Sequence, residues 1–416
     1  MTHSLLQIDV IQDGQTIPNG YIDKYNLEKR DIFYPSNGEA KSNFVGIVQR
    51  DESILISIPK HFMHVSDFKI RSTPEKKKYT RLIMDSINAS VLGYQNSSYD
   101  SELDTSSNFA LAAYFNIYEY FAQYGLYQED YQEIRPNSGN KVSWRDTLRK
   151  SNKFFSNGNI IFSPLYYKKR RSNQTLITEC MISILNYTQS LLGDFITLPD
   201  TSKIANKGFN KNIFNNESVI LKLQEILTTT FKDINRQLIR NIIIFLKKVN
   251  DNKLEVVDIK YYSFAHTWET AVEKYLNDHF LGISKDNEVI FSNTNTQKKF
   301  IKDKISYNDA NKFSYWRLEP DHVLIDDKNK FIYLFDSKYY TNLKDLNHKQ
   351  FVYHILYSNG WPTYQIYDSL ILPTEEKSFT EEYLKLNKKY SLRDRTPVNI
   401  YLTYLNMIEV LENFIK

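Results

Sequence analysis

The segment WRLEPDHVLIDDKNKFIYLFDSKYY, residues 316–340, contains two apolar runs joined by a short polar stretch. Residues 322–325 and 331–335 have the composition of β-strands, and the polar residues 326–330 between them are typical of a hairpin turn. The segment therefore predicts two antiparallel strands.

Charged residues lie at the ends of these two strands. Asp321 precedes the first strand, while Asp336 and Lys338 end the second and, two residues apart, share one face. A hairpin can bring all three side chains together. A carboxylate that follows a buried apolar run is costly unless a cation compensates its charge, so the position of Asp336 favours a functional site.

These residue types suit metal-dependent hydrolysis of a phosphodiester. Carboxylate oxygens are the ligands that a hard divalent cation prefers, and a nearby lysine can orient the attacking water and stabilise developing charge. We therefore expect Asp321, Asp336 and the adjoining Ser337 to contact Mg2+, with Mn2+ able to replace it, and Lys338 to act on the water. The alternative is a surface hairpin with charged ends.

The spacing of these residues resembles the PD-(D/E)xK nuclease signature. Pro320-Asp321 is followed by fourteen residues and then by Asp336-Ser337-Lys338. Upstream, FAHTWETAVEKYLND (264–278) has helical spacing, and the resemblance implies that Glu269 supplies a further metal-binding carboxylate. Its alternative is a surface glutamate.

A further candidate lies downstream, in NHKQFVYHILY (347–357), which has the pattern of a helix. The resemblance implies that Gln350 supports the metal-bound water or the DNA backbone. The alternative is a polar residue near the start of a helix whose core side includes Phe351 and Tyr353.

The rest of the chain predicts an α/β protein, α+β overall. Residues 44–62 predict two strands around Arg50-Asp51-Glu52, with Ile54, Ile56 and Ile58 on one face, and helical spacing begins near residue 79. The polar segment 198–217 predicts a boundary or an exposed insertion. We therefore expect a β-rich and helical region at 1–200 and a nuclease-like domain, with a mixed central sheet flanked by helices, at 201–416.

The composition indicates the cellular compartment in which the protein is expected. One cysteine, Cys180, excludes an internal disulfide framework and a cysteine-rich zinc site, and is expected to fill a core. No window approaches the roughly 18 apolar residues that cross a bilayer. The sequence therefore predicts a cytoplasmic protein without a membrane partner.

Separate stretches together resemble the McrC-like subunits of modification-dependent restriction systems and the related LlaJI-type restriction endonucleases. They are VGIVQRDESILISIPKHF (45–62), GNKVSWRDTLRK (139–150), HTWE (266–269), the PD and DSKYY elements, and HKQFVY (348–353). The resemblance implies cleavage of double-stranded DNA together with an AAA+ McrB-like motor that docks on residues 1–200, with a homodimer as a possible route to double-strand cleavage. The chain itself has no G-x-x-x-x-G-K-[ST] loop, so it is not expected to be the motor.

Two other functions stay open at this point. A stand-alone type II restriction enzyme would recognise and cut DNA unaided. A non-catalytic regulatory subunit would stimulate nucleotide hydrolysis by a motor, and the intact set of two acids and a lysine argues against it.

Overall fold

The mixed α/β architecture predicted from the sequence is confirmed. The structure, a computed structural model, describes residues 7–36, 38–50, 53–94, 110–138, 140–252, 257–305, 318–343, 347–387, 389 and 398–416. The predicted turn residues Asp51 and Glu52 therefore lie outside the described residues, as do 316 and 317 of the segment quoted above.

The strands are β1 Gln7–Gln12, β2 Ile32–Phe33, β3 Lys41–Ser42, β4 Val45–Arg50, β5 Ser53–Ile58, β6 Glu129–Pro136, β7 Lys141–Val142, β8 Asn152–Ser156, β9 Asn159–Ser163, β10 Tyr166–Asn173, β11 Val257–Tyr261, β12 Phe280–Ile283, β13 Val289–Phe291, β14 His322–Asp326, β15 Phe331–Ser337, β16 Gln365–Thr374, β17 Phe379–Lys385 and β18 Asn399–Asn406. The α-helices are α1 Tyr21–Lys24, α2 Val65–Ile70, α3 Thr73–Tyr94, α4 Leu111–Tyr124, α5 Trp144–Lys150, α6 Leu176–Leu192, α7 Ser202–Ala205, α8 Lys211–Phe214, α9 Glu217–Thr229, α10 Asp233–Asn252, α11 Phe264–His279, α12 His348–Gly360 and α13 Met407–Phe414.

The chain forms two compact units whose bounds differ from the division expected at residue 200. The first unit comprises Met1–Asn108, Asp194–Thr197 and Glu255–Lys416, and the second comprises Phe109–Gly193 and Leu198–Leu254. The pairing of β11 with β4 joins the N-terminal and C-terminal parts of the first unit. The assignment of docking to 1–200 and cleavage to 201–416 stays a prediction.

The segment 198–217, predicted as a boundary or an exposed insertion, begins where the chain passes from the first unit back to the second, but it is anchored by buried residues. It contains the short helices α7 and α8, and Ile204, Ile213 and Phe214 are buried. The Phe214 ring lies 4.7 Å from the ring of Tyr187 on α6. These few apolar residues anchor an otherwise polar segment to the second unit, and a composition average conceals them.

The N-terminal sheet of the first unit has the strand order β1-β5-β4-β11. The predicted hairpin β4–β5 is confirmed, but β5 is buried on both faces, with Leu55 as inaccessible as Ile54 and Ile56. Gly46 has a φ of +147°, and a Cβ there would lie 1.9 Å from the carbonyl oxygen of Ile259. The close approach of β11 to β4 therefore requires glycine at this position.

The second large sheet of the first unit is a five-stranded mixed sheet of order β14-β15-β16-β18-β17. β14 and β15 form the predicted antiparallel hairpin, β15, β16 and β18 run parallel to one another, and β17 pairs with β18 antiparallel. Ile332 and Leu334 of β15 pack with Tyr353 and Tyr357 of α12 on one face. A mixed central sheet with packed helices agrees with the sequence prediction.

The second unit consists mainly of helices and carries a small sheet. The sheet has the order β6-β10-β7, and β8 pairs with β9. Cys180 on α6 is fully buried, as a core filler should be. No helix in the described part of the chain is long and apolar enough to cross a membrane.

Candidate active site

The hairpin β14–β15 brings Asp321 and Asp336 to the same place. His322 pairs with Phe335, so the residue before β14 lies beside the residue after Phe335. The two carboxyl groups are close enough to hydrogen-bond, and Oδ2 of Asp321 also accepts from the backbone N–H of Ser337 at 2.9 Å. The predicted convergence of these two side chains on one point is present in the structure.

The Asp321 carboxyl group is held in an environment that disfavours its charged form. Burial, followed by the negative charges of Asp336 and then Glu269, raises its pKa to about 8. The ammonium of Lys338 offsets only part of that rise in pKa. The pair of aspartates therefore retains a proton at neutral pH unless further positive charge enters.

Lys338 lies directly against the aspartate pair. Its ammonium forms an ion pair with Asp336, and its backbone N–H donates to the carbonyl of Ile371 on β16 at 2.9 Å. Burial alone would lower the pKa of Lys338, but the negative charges of Asp336 and Asp321 outweigh it, so the pKa is raised. Lys338 therefore stays a charged donor throughout the neutral range.

Glu269 reaches the site through another residue. It lies on α11, where its carboxylate accepts from the ammonium of Lys302 at 2.8 Å, and the same ammonium lies 3.8 Å from Oδ1 of Asp321. The sequence interpretation missed Lys302. It stands in the lysine-rich stretch KKFIKDK, where no spacing rule distinguishes one lysine from the next.

Ser337 and Gln350 are placed near the aspartates but use their side chains elsewhere. The Ser337 hydroxyl lies 2.7 Å from Nε2 of His322, a buried ring whose pKa is lowered to about 3 by burial and by nearby lysine charge. The fully buried Gln350 amide donates to the Leu334 carbonyl at 3.3 Å and also to Asp368. Through these two hydrogen bonds, Gln350 stabilises the sheet behind the aspartates.

Asp368 is a second residue that the sequence interpretation missed. It lies on β16, fully buried, with Oδ2 3.3 Å from Nδ1 of His354 on α12. Burial raises its pKa to about 6, although hydrogen bonding and charge from His354 act to lower it. An aspartate inside the run QIYDSLIL carries no motif, so only its buried contacts distinguish it.

The donor chemistry of the aspartate pair fits a hard divalent cation. The buried carboxylate of Asp336 faces the partly buried carboxylate of Asp321. Burial and then the charges of Asp336 and Glu269 raise the pKa of Asp321, and a bound cation would favour its charged form. Among the residues that the structure describes, no three His, Cys, Asp or Glu side chains form a preassembled metal cage. The fit therefore rests on Asp321 and Asp336, with Glu269 connected through Lys302.

Residues 44–353 match the family model described as LlaJI restriction endonuclease. No curated protein is significantly similar to the chain in sequence.

Two solved structures are similar in part. One is a refined half-complex from a tetradecameric assembly of Thermococcus gammatolerans McrB AAA+ hexamers with bound McrC, at 12% identity and TM-score 0.40, covering 98% of each chain. Another is the cryo-EM structure of the Thermococcus gammatolerans McrBC complex, at 10% identity and TM-score 0.27, covering 64% of this chain and 88% of that one. TM-scores of this size do not establish a shared fold.

Proposed function

Because this chain belongs to the LlaJI restriction endonuclease family, we propose that it is the Mg2+-dependent DNA-cleaving subunit of a bacterial restriction system acting against phage DNA. We assign it to the PD-(D/E)xK class of nucleases. The observation that supports this assignment best is the pair of the partly buried Asp321 and the buried Asp336, side by side against Lys338. A purely structural hairpin has no need of two facing carboxylates.

Each residue of this centre has a distinct part in the proposed reaction. Asp321 and Asp336 would hold Mg2+, or Mn2+ in its place, and the bound cation would neutralise the scissile phosphate and acidify water. Lys338, a charged donor beside the pair, orients the attacking water and stabilises the developing negative charge. Glu269 holds Lys302 beside Asp321, and Gln350 fixes the sheet behind the pair.

We further propose that cleavage takes place in a complex with an AAA+ McrB-like motor. This proposal rests on the sequence resemblance of residues 45–62 to McrC-like subunits, and residues 1–200 are the proposed docking region. Double-stranded DNA is the proposed substrate, and two copies of the chain would cut its two strands. The cytoplasm is the proposed compartment, because foreign DNA and a nucleotide-driven motor meet there.

The proposed function is tested by plasmid cleavage in the presence of Mg2+, with the motor and nucleotide added. Asp336→Asn and Lys338→Ala should each lower the cleavage rate by at least about 100-fold, since each removes a group that acts at the reacting phosphate. Asp327→Asn is the matched control, because Asp327 lies exposed in the turn of the same hairpin and should cut normally. Normal cleavage by either centre variant would refute the assignment.

Metal dependence has a readout that does not involve cleavage. Mg2+ should raise the unfolding temperature of the unmodified chain and of Asp327→Asn, and should leave that of Asp336→Asn nearly unchanged, because ligand binding stabilises only the form that binds. A chelator should stop cleavage, and Mn2+ should restore it. Equal stabilisation of all three proteins by Mg2+ would argue against this site.

The same preparation separates the alternatives. Discrete fragments formed without motor and nucleotide would identify a stand-alone type II enzyme. Stimulation of the motor's nucleotide hydrolysis by a chain that never cuts DNA would identify a regulatory subunit. Lys338→Ala that loses cleavage but still stimulates hydrolysis would show that both roles belong to one protein.

A further inference from the structure

The segment that follows Lys338 is held by residues nearly three hundred positions earlier in the chain. The hydroxyl of Tyr339 accepts from the backbone N–H of Lys60 at 2.7 Å and is hydrogen-bonded to the carboxylate of Asp13. Nζ of Lys60 lies 4.7 Å from the centre of the Tyr339 ring. Tyr339 therefore has partners at the ends of both β1 and β5.

A second set of contacts fixes the two residues after Tyr339. Nε2 of His61 lies 3.0 Å from the carbonyl oxygen of Tyr340 and 3.2 Å from that of Thr341. His61 has a φ of +56°, in the left-handed region that few residues other than glycine adopt. A backbone in that conformation persists only where its surroundings hold it.

The turn after β1 approaches the same segment closely. A Cβ on Gly14 would lie 2.9 Å from Cε of Lys60 and 3.0 Å from Oγ1 of Thr341, and Gly14 has a φ of +78°. Only glycine fits this position without displacing a neighbour. The side chains of Asp13, Lys60 and His61 are here called the clamp. They pack closely against residues 339–341.

The other side of Tyr339 contacts the helix that carries Glu269. The Tyr339 ring centre lies 5.4 Å from that of Phe264, at the start of α11. Tyr339 is thus buried between the N-terminal sheet and α11, one residue from Lys338. A shift of the tyrosine would move the backbone that positions the Lys338 ammonium.

We infer that Tyr339 is a positioning residue for Lys338, held by the clamp of Asp13, Lys60 and His61, so that the N-terminal sheet governs the placement of the lysine at the aspartate pair. This inference rests on the role proposed for Lys338. The clamp belongs to the region assigned to partner docking, and it gives that region a direct physical connection to the cleavage centre.

The test uses the full chain under the cleavage conditions given above. Tyr339→Phe keeps the ring but removes the hydroxyl that meets Lys60 and Asp13, and should lower kcat roughly tenfold with KM for DNA unchanged, because a small misplacement of a reacting group is costly. His61→Ala should lower kcat less, by roughly threefold. Tyr364→Phe is the matched control. The Tyr364 hydroxyl also hydrogen-bonds to a carboxylate and a lysine, but these lie at the turn of the β14–β15 hairpin.

A double variant separates positioning from a merely structural contribution. If Tyr339 acts through Lys338, Tyr339→Phe should cause no further loss of rate in a Lys338→Gln chain. An undiminished loss in that background, or a loss no larger than that of Tyr364→Phe, would overturn the inference. If Tyr339→Phe does not fold, unaltered kcat in His61→Ala would overturn it instead.

The proposed function and this inference fail in different ways. Normal cleavage by Lys338→Gln removes the role of Lys338 and, with it, the proposed function. Loss of cleavage by Lys338→Gln together with normal kcat in Tyr339→Phe leaves the proposed function standing and removes only the inference.

Discussion

Two clusters of charged residues in the first unit differ in how well their positive and negative charges balance. In the sheet cluster, Asp31 accepts from the Lys260 ammonium at 2.7 Å, and the carboxylate of Asp258 meets the guanidinium of Arg50 at 2.9 Å. Two carboxylates thus have two cations. In the cleavage centre, three carboxylates, those of Asp321, Asp336 and Glu269, have two ammonium groups. Lys338 pairs with Asp336, and Nζ of Lys302 lies 2.8 Å from Glu269 and 3.8 Å from Asp321.

The difference in charge balance separates structure from function. A buried carboxylate with its own cation needs no further partner to compensate its charge. Asp31 is an example, because it accepts from the hydroxyl of Tyr262 and pairs with the ammonium of Lys260. Three carboxylates with two ammonium groups are not balanced, and burial together with the charges of Asp336 and Glu269 raises the pKa of Asp321 to about 8. The unbalanced cluster is the one that can use a divalent cation.

The largest expected effect is on stability and contrasts the two clusters directly. Asp31→Asn removes the carboxylate 2.7 Å from the buried Lys260 ammonium and leaves Lys260 and Arg50 to share Asp258, so it should cost about 3 kcal/mol in the free energy of unfolding. Asp336→Asn should cost no more than about 1 kcal/mol without metal, because Asp321 remains beside Lys338 and a repulsion is removed. Urea unfolding in the presence of a chelator measures both, and equal losses would abolish the distinction.

A smaller effect is expected at Asp368, a buried carboxylate with a histidine rather than a lysine beside it. Its folded-state pKa of about 6 lies above the ordinary value of 3.8, so the folded protein binds the extra proton between these values. Its contribution to stability is therefore present below pH 4 and is lost as the pH rises through 6.

Asp368→Asn should remove that loss of stability. The free energy of unfolding of the variant, relative to the unmodified chain, should improve by roughly 1–3 kcal/mol between pH 4 and pH 7. Urea titrations at several pH values measure this difference. A difference that does not change with pH would mean that Asp368 is ionised as readily in the folded protein as in the unfolded chain.

The smallest expected effect concerns Lys302, the residue that links Glu269 to Asp321. Lys302→Met removes an ammonium that competes with a divalent cation for Asp321, so Mg2+ should bind up to about fivefold more tightly, a modest gain because the lysine is partly exposed. The dependence of the unfolding temperature on Mg2+ concentration measures this affinity. Lys298→Met is a control on the same stretch, and weaker Mg2+ binding by Lys302→Met alone would indicate that Lys302 assists the cation instead.

The hairpin was predictable from residues close together in the chain. The two apolar runs of β14 and β15 and the polar turn between them predict the hairpin, and the pairing of His322 with Phe335 places Asp321 beside Asp336. Helices α11 and α12 were also predictable from their apolar spacing. Local periodicity is sufficient where the contact itself is local.

The surroundings of the hairpin were not predictable in the same way. Glu269 was identified as a candidate, but its connection through Lys302 was not, and Gln350 was identified without its partner Asp368. A boundary or exposed insertion was predicted at 198–217, and a boundary between the units does lie at its start, but its three buried apolar residues were not predicted. Each of these features depends on which distant surface a side chain meets.

The sequence by itself determined the two strands, their turn and the acid-acid-lysine set, because two short apolar runs on either side of a polar turn form neighbouring antiparallel strands. Tertiary structure alone decided that β11 completes the N-terminal sheet and that Lys60, 279 residues before Tyr339, holds the segment after Lys338. Contacts at such separation depend on how whole sheets and helices pack, and no periodicity in the chain records that packing.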